Sequence, residues 1–340
     1  MWISVILPLT LGTICIATMG IIRRFCLAGG KIKPNQYLVC GFGSATLVFS
    51  LVYLSVWGLN LPHVNTGFWR ACLACSAVNI WIQFCNVKAS ALAKGEVSLT
   101  APIQAMTPGF ITFLALTLGE WPGKLGIVGV LLMASGSYIL LWDKAPKRWY
   151  EYFGPLKRLL WLRRLKTLAP DDRSKTLAVC WSLASAAGGT FGLLFDSLYV
   201  RRAGSLQGII LGSLVLTAIL TSSYLLLAGP DWFRSRPNLA TVPRIKRPRW
   251  LISAVIAFGL LWVAQVFLIQ PTYQATLVAY VGTLKRLSIL FAVLGGVLIF
   301  RESEIRKRLP AAILIVLGAV CISLDGTPAR LSDKIQTFGF

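Results

Sequence analysis

Histidine and acidic residues are scarce in this chain, and their scarcity excludes most kinds of enzyme. The sequence has one histidine, His63, and 12 aspartates and glutamates in 340 residues. Nucleophilic and acid–base catalysis need such groups clustered in a cleft. The eight cysteines lie in or beside apolar stretches, and Cys72 and Cys75 have no histidine or acidic residue near them in sequence. We therefore expect no enzyme activity, no metal and no cofactor, and interpret the cysteines as small hydrophobic residues.

Charged residues of either sign are also few, which excludes a water-soluble globule. Hydrophobic residues make up 56% of the chain and charged residues 14%, and the mean hydropathy is +0.70. Apolar runs long enough to cross a membrane recur throughout. The first has no basic segment before it, so we interpret it as a span and not as a signal peptide. We predict an all-α integral membrane protein with ten transmembrane helices, at residues 3–21, 38–58, 68–87, 96–118, 125–142, 176–198, 205–228, 250–271, 277–300 and 309–324.

The 34 lysines and arginines give a net charge of +22 and are distributed unevenly. Loops after odd-numbered spans hold 26 of them, while loops after even-numbered spans and the termini hold six. Because cytoplasmic loops collect Lys and Arg, the odd-numbered loops are predicted to be cytoplasmic and both termini outside. This bias accounts for the positive charge without nucleic acid as a partner. We expect a multi-pass protein of the bacterial inner membrane.

The connector between spans five and six, residues 143–175, mixes basic residues with Trp, Tyr and Leu. Such a segment can lie in the membrane interface, attracted to anionic lipid head groups. A solvated connector that only contributes to the positive charge bias is the alternative.

The two halves of the chain repeat each other weakly. An offset of 182 residues pairs Gln83 with Gln265, Ala93 with Ala275, Glu120 with Glu302 and Gly136 with Gly318. With five spans in each half, the second copy is inverted relative to the first. We predict two inverted five-helix repeats, residues 1–142 and 176–326, followed by a tail, residues 327–340. Transporters built this way bind substrate between the repeats, near the membrane midplane.

Two adjacent cations interrupt the ninth span. Lys285 and Arg286 lie in the apolar run 277–300, roughly 12 Å from its start at 1.5 Å per residue. A charge at the bilayer centre costs at least about 2.5–3.5 kcal/mol and normally faces a cavity or a substrate path. We therefore predict that the pair binds a negatively charged group of a small-molecule substrate.

Uncharged polar residues in the spans supply further site candidates. Asn79, Gln83 and Asn86 are spaced at i, i+4 and i+7, so they share one face of span three. A buried amide costs free energy unless it is hydrogen-bonded, so this face is predicted to be directed inward. Gln265 is the repeat mate of Gln83, and Tyr280 lies shortly before the cation pair. The alternative is that the amides only hydrogen-bond between helices.

Motifs in both halves resemble one family of transporters. Residues 96–108 and 118–120 in the first half, with residues 281–286 and 300–302 in the second, are similar to the two repeats of the drug/metabolite transporter superfamily, EamA type. The resemblance implies a ten-helix secondary transporter. It also implies cytoplasmic termini, opposite to the orientation that the charges predict.

The cation pair is similar to a Lys-Arg pair in span nine of phosphate and triose-phosphate translocators. The resemblance implies that Lys285 and Arg286 hold a phosphate or a carboxylate. Those carriers have a lysine in span four where this chain has Gln104, so the resemblance implies an anionic group and not a particular sugar phosphate. We expect Gln104 at the site, because Pro102 and Pro108 can break the helix beside it.

The sequence therefore predicts a secondary transporter that moves a small anionic metabolite by alternating access. The alternatives are an exporter of amino acids or amphipathic compounds, and a protein that handles lipids without transport. Asp196 and Asp325 fall at span ends, and we expect them at the interface without a role in proton coupling. Exchange of anions or facilitated flux is the expected mechanism.

Overall fold

The computed structural model of the chain describes residues 3–27, 34–92, 114, 121–139, 170–228, 250–285, 287–288, 290–291 and 305–325. Within these ranges the chain is helical and contains no β-strand. The helices are α1 (Ile3–Leu27), α2 (Pro34–Trp57), α3 (Phe68–Leu92), α4 (Lys124–Ile139), α5 (Pro170–Arg202), α6 (Leu206–Ala228), α7 (Trp250–Ile269), α8 (Thr272–Ala275), α9 (Val278–Leu284) and α10 (Ile305–Asp325).

The helices coincide with the predicted spans where those spans fall on described residues. Spans one to three are α1 to α3, span five is α4, and spans six, seven, eight and ten are α5, α6, α7 and α10. Span four lies outside the described residues apart from Leu114, and only part of span nine is described. Gln104, Arg286, the tail and most of the connector also lie outside them.

Five of the described helices contain segments long and apolar enough to cross a membrane. These segments are Val5–Leu27, Pro34–Trp57, Thr176–Arg202, Leu206–Ala228 and Ile252–Ala275. α3 is of similar length but carries the polar stripe, and α4 and α10 contain shorter apolar stretches. The predicted all-α membrane architecture is confirmed at this level, while the count of ten spans and the inverted layout stay predictions.

The outward-facing surfaces of the helices are apolar, which is the reverse of a soluble protein. On α2, Leu47, Leu51 and Leu54 follow one face and are 67%, 68% and 51% exposed. On α7, Ile252 and Ile256 are exposed one turn apart. Contiguous exposed apolar faces of this kind are expected where the surrounding solvent is lipid.

The helices pack in pairs that are distant in sequence. α3 packs along α5, α1 along α7, α2 along α6 and α7, and α4 along α10. A weaker contact joins α3 to α6. The interior therefore lies between α1, α2, α3, α5, α6 and α7, and the pair α4 and α10 stands beside it.

α4 and α10 cross closely at small residues. A Cβ atom added to Gly129 would lie 2.6 Å from the backbone oxygen of Gly318, and one added to Gly136 would lie 2.7 Å from the backbone oxygen of Ala311. Residue numbers rise along one helix as they fall along the other, so the two helices are antiparallel. Small residues allow such close approach of transmembrane helices.

Hydrogen bonds join the helix ends on one side of the molecule. The amide of Asn65 donates to the carbonyl of Arg202 at 3.0 Å, and Nε of Arg201 donates to the carbonyl of Tyr273 at 3.0 Å. We call this side the even-loop face, because it holds the connections after the predicted spans two, six and eight. These connections are residues 58–67, 203–205 and 270–277.

The backbone that leads to Lys285 is not one continuous helix. α7 ends at Ile269, the four-residue helix α8 follows Pro271, and Thr276 is extended with φ −145° and ψ 169°. α9 then runs back from the even-loop face and ends immediately before Lys285. Lys285 itself has helical dihedral angles, φ −54° and ψ −23°, and the described residues 287–288 and 290–291 beyond it are helical as well.

Candidate functional site

A cavity of about 230 Å³ lies between α1, α2, α3, α5, α6 and α7, with Lys285 at one side. Its charged lining residues in the described part of the chain are Arg23, Asp196 and Lys285. Its other polar lining residues are Tyr37, Asn79, Gln83, Asn86, Tyr199, Ser213, Gln265 and Gln270. The polar groups of the described helices therefore converge on the interior, while the outer surface is apolar. A concave site with a few convergent polar groups is the usual form of a ligand pocket.

Four of the predicted site residues line this cavity, namely Asn79, Gln83, Gln265 and Lys285. Asn86 lines it as well, so the stripe on α3 is directed inward as its spacing predicted. From Asn79 to Val87 the lining follows α3 for roughly 12 Å, at 1.5 Å per residue. Whether these residues contact a substrate stays a prediction.

Gln83 and Gln265 bring side-chain amides to the lining of the cavity. Among the described residues, neither side chain makes a hydrogen bond. Asn86 differs, since its Oδ1 accepts a hydrogen bond from Ser185 Oγ at 2.8 Å. The alternative role of joining helices therefore applies to Asn86, and the two glutamines keep their amide groups for the cavity.

Tyr280, the remaining predicted site residue, is not among the residues that line the cavity. It is buried, and its hydroxyl donates to Asp325 Oδ2. The Tyr280 hydroxyl oxygen also accepts a hydrogen bond from the amide of Gly123 at 3.2 Å. The Asp325 carboxylate also accepts from the amides of Gly123 and Gly126, at 3.1 and 2.9 Å. Asp325 thus caps the start of α4, and Tyr280 joins α9 to α4 and α10.

Lys285 is held by two partners inside the protein. Its Nζ donates a hydrogen bond to Tyr273 Oη at 2.8 Å and lies 5.0 Å from the centre of that ring. Asp196 Oδ2 is 3.7 Å away, close enough for an ion pair. Both charged side chains are 16% exposed, so most of the hydration of each charge is replaced by protein. A charge pair in such surroundings persists only when each partner is compensated.

Asp196 is the cavity residue that the sequence analysis misplaced. It lines the cavity beside Lys285, although an interfacial position was expected. Its Oδ1 accepts a hydrogen bond from Cys75 Sγ at 2.9 Å, and Asn79 Nδ2 donates to that sulfur at 3.3 Å. One sequence signal pointed to it, because Asp196 is the single charged residue of the apolar run 176–198.

Two buried polar atoms of the lining, Tyr37 Oη and Gln270 Oε1, have no hydrogen-bond partner among the described residues. Buried polar atoms are normally paired, so both are able to hydrogen-bond a solute in the cavity. Tyr37 lies in the first turn of α2 and Arg23 in the last two turns of α1, so both belong to the side of the molecule opposite the even-loop face.

At the even-loop face, hydrogen bonds join the end of α5 to residues 270–277, which we call the α8 segment. Arg201 donates to the carbonyls of Tyr273 and Thr276, at 3.0 and 3.3 Å. Gln274 Nε2 donates to the carbonyl of Val200 at 3.1 Å. The segment that carries the Lys285 partner Tyr273 is therefore fixed to the end of α5.

Comparison with solved structures identifies the fold. A structure described only as "Crystal structure of protein" is similar to the chain with a TM-score of 0.64 at 15% identity, covering 93% of this chain and 96% of that chain. No family model matches the chain, and no curated protein matches it. The similarity shows a shared fold over nearly the whole length and names no activity. The fold and the cavity together define an all-α membrane-type protein with charged groups gathered in its interior.

Proposed function

We propose that this protein is a secondary transporter that moves a small anionic metabolite, bearing phosphate or carboxylate, by alternating access. The observation that carries the proposal is the position of the Lys285 ammonium, in the lining of an interior cavity between apolar helices. The described lining has two cations, Arg23 and Lys285, for one carboxylate. An anion in this cavity gains charge attraction from the cations and hydrogen bonds from Gln83 and Gln265.

The crossing of α4 and α10 supports two inverted repeats. At the offset of 182 residues, Gly129 corresponds to Ala311 and Gly136 corresponds to Gly318. The contact of Gly129 with Gly318 is then the mate of the contact of Ala311 with Gly136, and the chain makes both. A twofold axis that exchanges the two halves produces this pattern, and it supports an inverted layout because the helices are antiparallel.

The remaining helix pairs support the same symmetry. The offset carries α3 onto α7 and makes α1 overlap α5 and α2 overlap α6, in the same chain order. Exchanging the two halves therefore turns the pair α3 and α5 into the pair α7 and α1, and turns the pair α2 and α6 into itself. All three pairs pack together in the structure. Gln83 and Gln265, which are mates, both line the cavity. The proposed site thus lies where the two repeats meet.

The hydrogen bonds at the even-loop face support alternating access. Arg201 and Gln274 hold the α8 segment against α5 on one side of the cavity. The lining continues on the other side to Arg23 and Tyr37. In the proposed cycle, release of the α8 segment opens the cavity to the even-loop side. The excess of basic residues in the odd-numbered loops supports a cytoplasmic location for the opposite side and a bacterial inner membrane as the setting.

The family that we propose is the drug/metabolite transporter superfamily of the EamA type. Its motifs at residues 96–108 and 281–286, the ten-span pattern and the supported repeat symmetry are what favour it. Arg286 and Gln104 remain proposed site residues through that resemblance.

Asp196 favours a second candidate, an exporter of amino acids. A zwitterion could set its carboxylate against Lys285 and its ammonium against Asp196, which lie 3.7 Å apart. Under this candidate both charges contact the substrate, and removing either one abolishes binding.

A thermal-shift screen in detergent tests the proposal. The ligands are inorganic phosphate, sulfate, pyruvate, leucine, tetraphenylphosphonium and phosphatidic acid, applied to wild type, Lys285→Gln and the matched control Lys124→Gln. Lys124 is exposed at the start of α4, outside the cavity. A ligand at 100 times its Kd adds about 2.7 kcal/mol of apparent stability. The quantity compared is the ligand-induced shift, because Lys285→Gln also leaves Asp196 without its cation.

We expect at least one of the three small anions to stabilise wild type and Lys124→Gln, and to leave Lys285→Gln unchanged. An equal anion shift in all three proteins, or none in any, contradicts the proposal. A shift with leucine that disappears in both Lys285→Gln and Asp196→Asn supports the amino-acid candidate instead. A shift confined to phosphatidic acid indicates lipid handling.

A further inference from the structure

The carboxylate of Asp196 occupies the position that an anionic substrate needs. Lys285 Nζ is 3.7 Å from Asp196 Oδ2, so the cation to which the proposed function assigns the substrate already has a negative partner. A second anion next to Lys285 would also lie next to Asp196. Since like charges repel strongly where hydration is incomplete, an anion binds next to Lys285 more strongly when the charge of Asp196 moves away or disappears.

The two oxygens of Asp196 have different surroundings, and this decides where a proton can go. Oδ1 accepts a hydrogen bond from Cys75 Sγ at 2.9 Å, and this bond is available whether or not the acid is ionised. Oδ2 faces the Lys285 ammonium. A proton on Oδ2 would place an O–H donor opposite the N–H donors of Lys285, so the acid and the ammonium would separate. Protonation therefore removes the negative charge beside the Lys285 ammonium, which keeps its hydrogen bond to Tyr273 Oη.

We propose that Asp196 takes up one proton from water when an anion binds to Lys285 and gives it back to water when the anion leaves. This inference rests on the proposed function. In the empty site the Asp196 carboxylate neutralises Lys285, and in the loaded site the anion does so while Asp196 is a neutral acid. The proton adds to Oδ2, and Lys285 stays an ammonium throughout. Each state therefore has one negative charge beside Lys285, on Asp196 in the empty site and on the anion in the loaded site. A monovalent anion would then cross together with one proton and without net charge.

Comparison with the titratable groups around it indicates that Asp196 is the group that takes up the proton. In the described part of the chain they are Cys72 and Cys75 on α3, Tyr199 on α5, Tyr273 on α8, Lys285 after α9, and Arg23, which lines the same cavity from α1. Thiols and phenols are uncharged near neutral pH, while Lys and Arg stay charged. The carboxylate is the negatively charged member of this set, so it is the group whose charge proton uptake can remove.

Proton uptake on anion binding tests the inference directly. Wild-type protein in weakly buffered detergent, with a pH-indicator dye, is mixed with sodium sulfate or sodium pyruvate, both of which stay ionised near neutral pH. Binding is followed in parallel by calorimetry between about pH 6 and pH 8. The variants are Asp196→Asn, which imitates the neutral acid, Asp196→Glu, which keeps a carboxyl group, and Asp325→Asn, which alters a carboxylate outside the cavity.

We expect the wild type, Asp196→Glu and Asp325→Asn to take up protons, approaching one for each anion bound. Their affinity should weaken as pH rises, by up to about tenfold per pH unit, as linkage to one proton requires. Asp196→Asn should bind the anion with no proton uptake and with little pH dependence. The wild-type measurement stands alone if Asp196→Asn does not fold.

Two results overturn the inference and are distinguishable. Anion binding to wild type with no proton uptake and a constant affinity across this pH range refutes the proton role of Asp196 and leaves the proposed function intact. Loss of anion binding in Asp196→Asn also refutes it, since the carboxylate would then be a substrate contact. No binding of phosphate, sulfate or pyruvate to wild type even at pH 6 contradicts the proposed function, and the inference falls with it.

Discussion

The contact between α4 and α10 makes a quantitative prediction for Gly129→Ala. An added Cβ atom would lie 2.6 Å from the Gly318 oxygen, 2.7 Å from Ile322 Cγ1 and 2.9 Å from the Ile322 nitrogen. Ordinary contacts of such an atom begin at 3.4 Å. The Gly318 oxygen and the Ile322 nitrogen are backbone atoms, so rotation of a side chain cannot relieve those two contacts. The helices must therefore separate by several tenths of an ångström along this contact.

The expected cost follows from two opposing effects. Overpacking of a tight interface typically costs about 1–3 kcal/mol. Alanine is a better helix former than glycine, which returns up to about 1 kcal/mol. We therefore expect Gly129→Ala to lower stability by about 1–2 kcal/mol, as measured by thermal and SDS-induced unfolding in detergent.

A matched control and a second substitution sharpen this prediction. Gly189 in α5 has no atom within 4 Å of an added Cβ, so Gly189→Ala should be neutral or slightly stabilising. Gly136→Ala should behave like Gly129→Ala, because its Cβ would meet the Ala311 oxygen. The double variant should cost less than the sum of the two, since the helices need to separate only once.

Equal stability of Gly129→Ala and Gly189→Ala would refute this reasoning. It would mean that α4 and α10 do not cross at Gly129 and Gly318. The symmetric pair of contacts that supports the inverted repeats would then be lost as well.

Two further predictions concern Tyr280 and the outer surface. Tyr280→Phe removes the hydroxyl that contacts Asp325 and Gly123, so the free energy of unfolding should fall by about 1–3 kcal/mol. The anion-induced thermal shift should be unchanged, and loss of that shift would assign Tyr280 to the substrate site. Leu47→Arg puts a charge on an outward face near the middle of α2. The yield of membrane-inserted protein should fall, because a charge at that depth costs about 2.5–3.5 kcal/mol on insertion. An unchanged yield would indicate that this face is not covered by lipid.

The helices were predictable from the sequence because their signals are local. Apolar runs of spanning length gave the positions of the helices to within a few residues, and the spacing of Asn79, Gln83 and Asn86 gave the inward face of α3. The gap between the predicted spans eight and nine, residues 272–276, falls in the break between α7 and α9. Each of these features depends on residues within one or two helical turns.

The pairing of side chains across helices was not predictable in the same way. Asp196 and Lys285 meet because α5 and the α8–α9 segment come together at the even-loop face, and no local pattern specifies that contact. Tyr280 stays a predicted site residue, although five residues at about 100° each turn it well away from Lys285 around a helix.

Anion flux through Lys285 tests the central claim most directly. Wild type, Lys285→Gln and Lys124→Gln are reconstituted into liposomes, and the uptake of radiolabelled phosphate, sulfate and pyruvate is compared with that of protein-free liposomes. The proposed function predicts uptake of at least one anion by wild type and Lys124→Gln, and uptake at the protein-free level by Lys285→Gln. Equal uptake by all three proteins, or no uptake above the protein-free level by wild type, would contradict it.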